Sequence, residues 1–156
     1  MSPNIKKVEQ IIEKETLDVL EAGIVAGREA LKNKNFQVAE EIFTNLLAVS
    51  PENSSIHNSL AVICTARNDI RSAIDHLNSA IKLEPEHLEY HKNLGLVLFA
   101  GGKYRKAIRQ FQFILNKEPT DLNILYHLAL SFQRRGNNGE CEKEFYTINS
   151  CNERTS

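Results

Sequence analysis

The chain has 156 residues, 42% of them hydrophobic and 25% charged, with a formal net charge of −1. At about 150 residues a chain can bury roughly 68–70% of its unfolded surface, so one compact soluble domain needs no disulfide or metal staples. Near-neutral charge gives no electrostatic ground for binding nucleic acid or an acidic membrane surface, and no apolar run approaches the ~18 residues of a membrane span. The opening stretch MSPNIKKVEQIIEKE is charged throughout and lacks the apolar core of a signal peptide, so a cytoplasmic protein without membrane insertion is expected.

Ser2-Pro3 is a helix start, a capping residue followed by proline in the first turn. Ile5, Val8 and Ile12 then form a narrow apolar stripe among Lys6, Lys7, Glu9, Glu13 and Lys14. The stripe changes phase near Thr16, which predicts a break there and a second helix capped by Thr16. Residues 1–16 are thus expected to be an extra N-terminal helix. Three roles are open to it: a cap on the end of the stack, a dimerisation element, or a partner-dependent segment. Helix pairs follow over about 17–32 and 36–49, 54–66 and 70–83, and 87–100 and 104–117. The turns between partners fall at Asn33-Lys34-Asn35, Asn68-Asp69 and Gly101-Gly102. Thr120 or Asp121 caps an eighth helix that Gly136 is expected to stop, a ninth covers about 139–149, and residues 151–156 are expected to be a flexible tail.

Internal register is the strongest signal. Pro51, Pro85 and Pro119 recur at 34 residues (85 − 51 and 119 − 85), and so do Ala39, Ala73 and Ala107, then Phe43, Leu77 and Phe111. Gly27, Ala61, Gly95 and Ala129 keep the same step. Each slot has a physical reason. Only a small side chain fits where two antiparallel helices cross closely, large residues fill the space around it, and proline ends one unit and starts the next. In the fourth copy Asn138 replaces the aromatic or branched residue, Cys141 replaces the small alanine, and Glu153 stands in the register of the closing proline.

A period of about 34 with this pattern resembles the tetratricopeptide repeat (TPR). The expected fold is all-α, an α-solenoid of antiparallel helix pairs preceded by the extra N-terminal helix. The repeat domain covers 17–150, with repeats near 20–53, 54–87, 88–121 and 122–150. The resemblance implies a right-handed superhelix whose first helices line a concave groove. Partner-binding residues would then be Ile24, Arg28 and Leu31 in the first repeat and Asn58, Val62 and Thr65 in the second. The third gives Lys92, Leu96 and Phe99, and the fourth Asn123, Tyr126, Leu130 and Gln133. Within a set the spacing is i, i+4, i+7 or close to it, which keeps one helix face. The apolar members point to an apolar peptide or amphipathic helix as ligand.

Other chemistry is poorly supported. Cys64, Cys141 and Cys151 follow no CxxC spacing, and their odd number argues against a disulfide framework. His87 and His91 lie at i, i+4 like half of a zinc site, but His91 recurs in register with His57, which suggests packing between adjacent repeats. No nucleophile–base pattern or phosphate loop is present, so no enzyme, cofactor or metal is expected. The TPR co-chaperones that bind acidic chaperone tails use a clamp of Lys, Asn and Arg. In that frame this chain offers Ile24, Arg28, Ser59, Glu89 and Asn93, which is too few cations. The expected function is a non-enzymatic scaffold or adaptor binding a protein or peptide. The alternative is a dedicated chaperone like those of type III secretion translocators, on layout alone. A homo-oligomer through the N-terminal helix or the terminal repeat is left open.

Overall fold

The computed structural model describes residues 3–137. Over these the chain forms seven α-helices and no strand: α1 Pro3–Lys32, α2 Phe36–Val49, α3 Ser54–Ala66, α4 Ile70–Leu83, α5 Leu88–Ala100, α6 Tyr104–Lys117 and α7 Leu122–Asn137. The helix expected over 139–149, with Cys141 and Phe145, lies outside the described residues, as does the tail 151–156. The chain divides into two compact units, Met1–Pro85 and Glu86–Ser156. In the first, α1 packs on α2, α2 on α3, and α3 on α4; in the second, α5 packs on α6 and α6 on α7.

The repeat is written into the backbone. Ser50, Glu84 and Glu118 each precede a proline, and their φ, ψ values are −132°, 76°, then −132°, 81°, then −127°, 78°. Proline excludes the preceding residue from the α region, so each second helix ends at the same point. The turn inside each repeat is equally uniform. Lys34, Asn68 and Gly102, spaced by 34, all have positive φ (58°, 61° and 71°). In each the left-handed residue donates its N–H back three residues, to Leu31, Thr65 or Phe99, at 2.9–3.0 Å. The next residue donates to Ala30, Cys64 or Leu98 at 2.8 Å, closing the first helix.

Core slots behave as the register requires. Ala39, Ala73 and Ala107 are fully buried, as are Phe43, Leu77 and Phe111 beside them. A methyl group placed on Gly27 would meet Phe43 Cζ at 2.6 Å, and one on Gly95 would meet Phe111 Cε1 at 2.5 Å. The two phenylalanines therefore lie directly against helix backbone, and where the first-helix slot holds Ala61 the second-helix slot holds the shorter Leu77.

Two expected boundaries are corrected. Thr16 starts no second helix: α1 is continuous for 30 residues, and the Thr16 hydroxyl donates to the carbonyls of Ile12 (3.0 Å) and Glu13 (2.8 Å). Back-bonding of this kind lets threonine sit inside a helix. The N-terminal helix 1–16 is thus the first half of the first repeat's own helix. Gly136, in register with Gly102, does not end α7, which runs through Asn137. Asp121 is the cap at its other end, accepting from the Asn123 and Ile124 N–H groups at 2.9 and 3.1 Å.

Candidate partner-binding surfaces

In the first unit, the residues singled out on α1 divide into two groups. Ile24 and Leu31 are half-buried and pack on the cluster of Ala39, Phe43, Ile56, Leu60 and Ile63. Arg28 is exposed, and its guanidinium donates to Ser55 Oγ on α3 at 2.8 Å, tying the two first helices together. On α3, Asn58 is half-buried while Val62 and Thr65 are exposed. The Thr65 hydroxyl turns inward to the Ala61 carbonyl at 2.7 Å, leaving its methyl group beside Val62 as the apolar part of this face.

The second unit gathers more apolar surface. Phe99 on α5 is half-buried, edge-on to Tyr104 with ring centroids 5.5 Å apart and to His127 of α7 at 6.4 Å. Tyr126 lies edge-on to the same His127 at 5.4 Å and is 61% exposed. Because a carbonyl can only accept, the 2.8 Å contact between His127 Nδ1 and the Asn123 carbonyl fixes the proton on Nδ1. The imidazole is held between Phe99 and Tyr126, with Leu96 and Leu130 half-buried on the same helices. Asn123 and Gln133 are exposed. Lys92 is half-buried. It lines a hollow of about 400 Å³ with Leu88, Glu89, Asn93, Ile114, Glu118 and Asp121. Three carboxylates around one lysine would repel an acidic peptide tail, in line with the clamp reading disfavoured above.

The histidines have structural employment. His57 on α3 and His76 on α4 meet Nδ1 to Nδ1 at 3.2 Å, and His57 Nε2 donates to the Pro51 carbonyl at 3.1 Å. With its proton on Nε2, His57 accepts at Nδ1, so His76 is the donor. Burial, and secondarily the His57 imidazole, push the His76 imidazole below its ordinary value. One repeat later the same positions hold His91 and Gln110, joined at 2.7 Å. The recurrent histidine therefore bridges the two helices of its own repeat, not adjacent repeats as the register suggested. His87 stacks on Tyr90 with centroids 4.0 Å apart. Among the described residues no three of His, Cys, Asp and Glu converge as a metal-holding group. Burial, then Asp69 and Glu40, raise the Cys64 thiol, which opposes the thiolate form needed for reactivity.

Sequence reasoning missed one surface. The first half of α1 and the end of α2 enclose an apolar trough of about 250 Å³, lined by Ile12, Thr16, Val19, Leu20, Leu46 and Val49, with Glu15 at its edge. The signal was present in Val19 and Val49, which the repeat register leaves without a core slot.

Comparison with known proteins agrees with the architecture. Residues 30–95 match the family model described as tetratricopeptide repeat. Among solved structures, the first TPR of Spaghetti (RPAP3) bound to an HSP90 peptide aligns at TM-score 0.70 and 18% identity, covering 73% of this chain and 90% of that one. The Sgt2 TPR domain from Aspergillus fumigatus aligns at 0.69 and 18%, covering 77% and 82%. An O-GlcNAc transferase mutant from Thermobaculum terrenum aligns at 0.69 and 23%, covering 74% of this chain but only 22% of the transferase. Curated protein sequences give no match. The protein is a helical-repeat protein of the all-α class. Over residues 30–95 its helices match the tetratricopeptide repeat, and repeats of that family are in general non-enzymatic protein-interaction modules. Among the described residues no helix is long and apolar enough to cross a membrane.

Proposed function

We propose that the protein is an adaptor that holds an apolar peptide or amphipathic helix of a partner on the first helices of its repeats, with no chemistry of its own. The observation that carries this is the aromatic group of the second unit. Tyr126 stands 61% exposed against His127, whose ring also meets Phe99, itself edge-on to Tyr104. An exposed ring in a fixed setting loses little side-chain freedom on binding, and hot spots are few and aromatic-rich. Leu96 and Leu130 supply the apolar floor. Arg28, Asn58, Val62 and Thr65 form a separate, more polar patch on the first unit, suited to a polar stretch of ligand. The secretion-chaperone alternative rests on layout, and no residue of either patch favours it over the adaptor.

Peptides selected from a random display library supply the test. They should be rich in apolar residues, and Tyr126→Ala should weaken them by ~2 kcal/mol, about thirtyfold, without lowering the melting temperature. Gln112→Ala, exposed on α6, should leave binding unchanged. Equal affinity of wild type and Tyr126→Ala for every selected peptide would remove the proposal.

A further inference from the structure

The aromatic group of the second unit holds an imidazole whose second nitrogen has no partner among the described residues. His127 is met by three rings: Tyr126 at 5.4 Å and Phe99 at 6.4 Å between centroids, both edge-on, and the fully buried Phe111 at 5.9 Å. Its Nδ1–H is taken up by the Asn123 carbonyl at 2.8 Å. Nε2 therefore carries a lone pair and can only accept. Among the described residues no hydrogen bond reaches Nε2, and it is not one of the buried side-chain atoms that lack a partner. It is an acceptor open to solvent, set among aromatic rings.

A ligand that covers these rings must answer that lone pair. Leucine or phenylalanine cannot donate; either would strip water from Nε2 and leave it unmet, which costs more than the bond itself contributes. Lysine or arginine can donate, but would surrender its hydration beside Leu96, Phe99, Tyr126 and Leu130, none of which is a carboxylate, and Nε2 meets only one of its several donors. Serine or threonine donates but covers little apolar surface. Tryptophan joins one N–H and no acceptor to a large apolar body. Building on the adaptor reading, we propose that the partner is anchored by a tryptophan packed on Tyr126 and Phe99, its indole N–H donating to His127 Nε2. His127 then determines specificity, choosing tryptophan over phenylalanine. The Asn123 carbonyl sets that choice, because holding the proton on Nδ1 keeps Nε2 an acceptor.

Peptides selected on the full wild-type chain test this, with a tryptophan expected at one fixed position. Exchanging that tryptophan for 1-methyltryptophan keeps the ring and removes the N–H, so binding should weaken about tenfold or more with the protein untouched. His127→Leu removes the acceptor and should bind the two peptides within about twofold of each other. Nitrogen NMR of the free chain should find the His127 proton on Nδ1. Selected peptides anchored on phenylalanine, lysine or arginine would overturn the proposal; if they still lost affinity on Tyr126→Ala, the adaptor reading would stand without it. A methylated peptide that binds as tightly as its parent, or a proton found on Nε2, would also overturn it. Tryptophan peptides indifferent to Tyr126→Ala would overturn both readings.

Discussion

The second and third repeats, α3–α4 and α5–α6, are one plan executed with different residues. Ala61 and Leu77 in the second become Gly95 and Phe111 in the third. The histidine bridge runs His57 to His76 in one and His91 to Gln110 in the other. The left-handed turn residue is Asn68 in one and Gly102 in the other. Asp69 caps α4 by accepting from the Ser72 N–H at 3.1 Å, whereas Lys103 gives α6 no side-chain cap. The repeat thus fixes relations between slots rather than residues within them. A larger ring is accommodated by deleting a methyl group opposite, and a hydrogen bond survives when histidine is exchanged for glutamine.

The largest difference to expect lies in the core. Phe111→Ala removes a fully buried ring lying on Gly95 and should cost ~3–5 kcal/mol. Leu77→Ala in the second repeat should fall nearer the low end of ~2–5 kcal/mol, because its first-helix slot already holds a methyl group. Chemical denaturation of the two variants measures both. Equal losses would break the comparison.

A smaller effect is predicted at the turns. Lysine at φ 58° carries the left-handed strain that glycine avoids, so Lys34→Gly should raise stability, and Gly102→Lys should lower it by about 1 kcal/mol. Glycine's extra freedom in the unfolded chain offsets part of the first gain. Thermal melting of each variant should therefore show opposite signs. The same sign for both would mean the turns are not equivalent.

The smallest effect separates the two histidine bridges by pH. His76 is held below its ordinary value, so between its folded and unfolded values the unfolded chain binds the proton that the folded chain refuses. Stability from the neutral bridge is then complete above about pH 6.5 and falls as pH drops through and below it. His76→Gln copies the His91–Gln110 arrangement and should flatten this dependence. Melting curves between about pH 7.5 and pH 5 that superimpose in slope for both proteins would remove the bridge as the cause.

Much of this architecture was legible beforehand, because the residues that set it act through the backbone. The prolines, the left-handed turn positions and the small crossing residues gave most helix ends to within a residue. The misreadings share one physical cause: a side chain with two local uses. Thr16 can cap a helix or bond back within it, and with residues 12–19 all exposed the apolar phase change carried no structural weight. Gly136 can close a helix or continue one. Leu31 and Ile24 sit on the face expected to line the groove, yet they reach the core beside Phe43 because one helix face is wide enough to serve both. The bridge between His57 and His76 needed the distance between two helices, which spacing along one of them does not supply. The trough at Val19 and Val49 went unseen because it lies off the repeat register.

A double-mutant cycle on Gly95 and Phe111 tests the exchange of slots most directly. In the wild-type background Gly95→Ala should gain up to ~1 kcal/mol of helix propensity but lose ~1–3 kcal/mol by overpacking against a ring 2.5 Å away, for a net loss. After Phe111→Leu, which reproduces the Ala61–Leu77 pair, the same substitution should become neutral or stabilising. The predicted coupling is ~1 kcal/mol or more, in favour of the double variant. Strictly additive changes would contradict the claim that the repeat conserves a relation between these two slots.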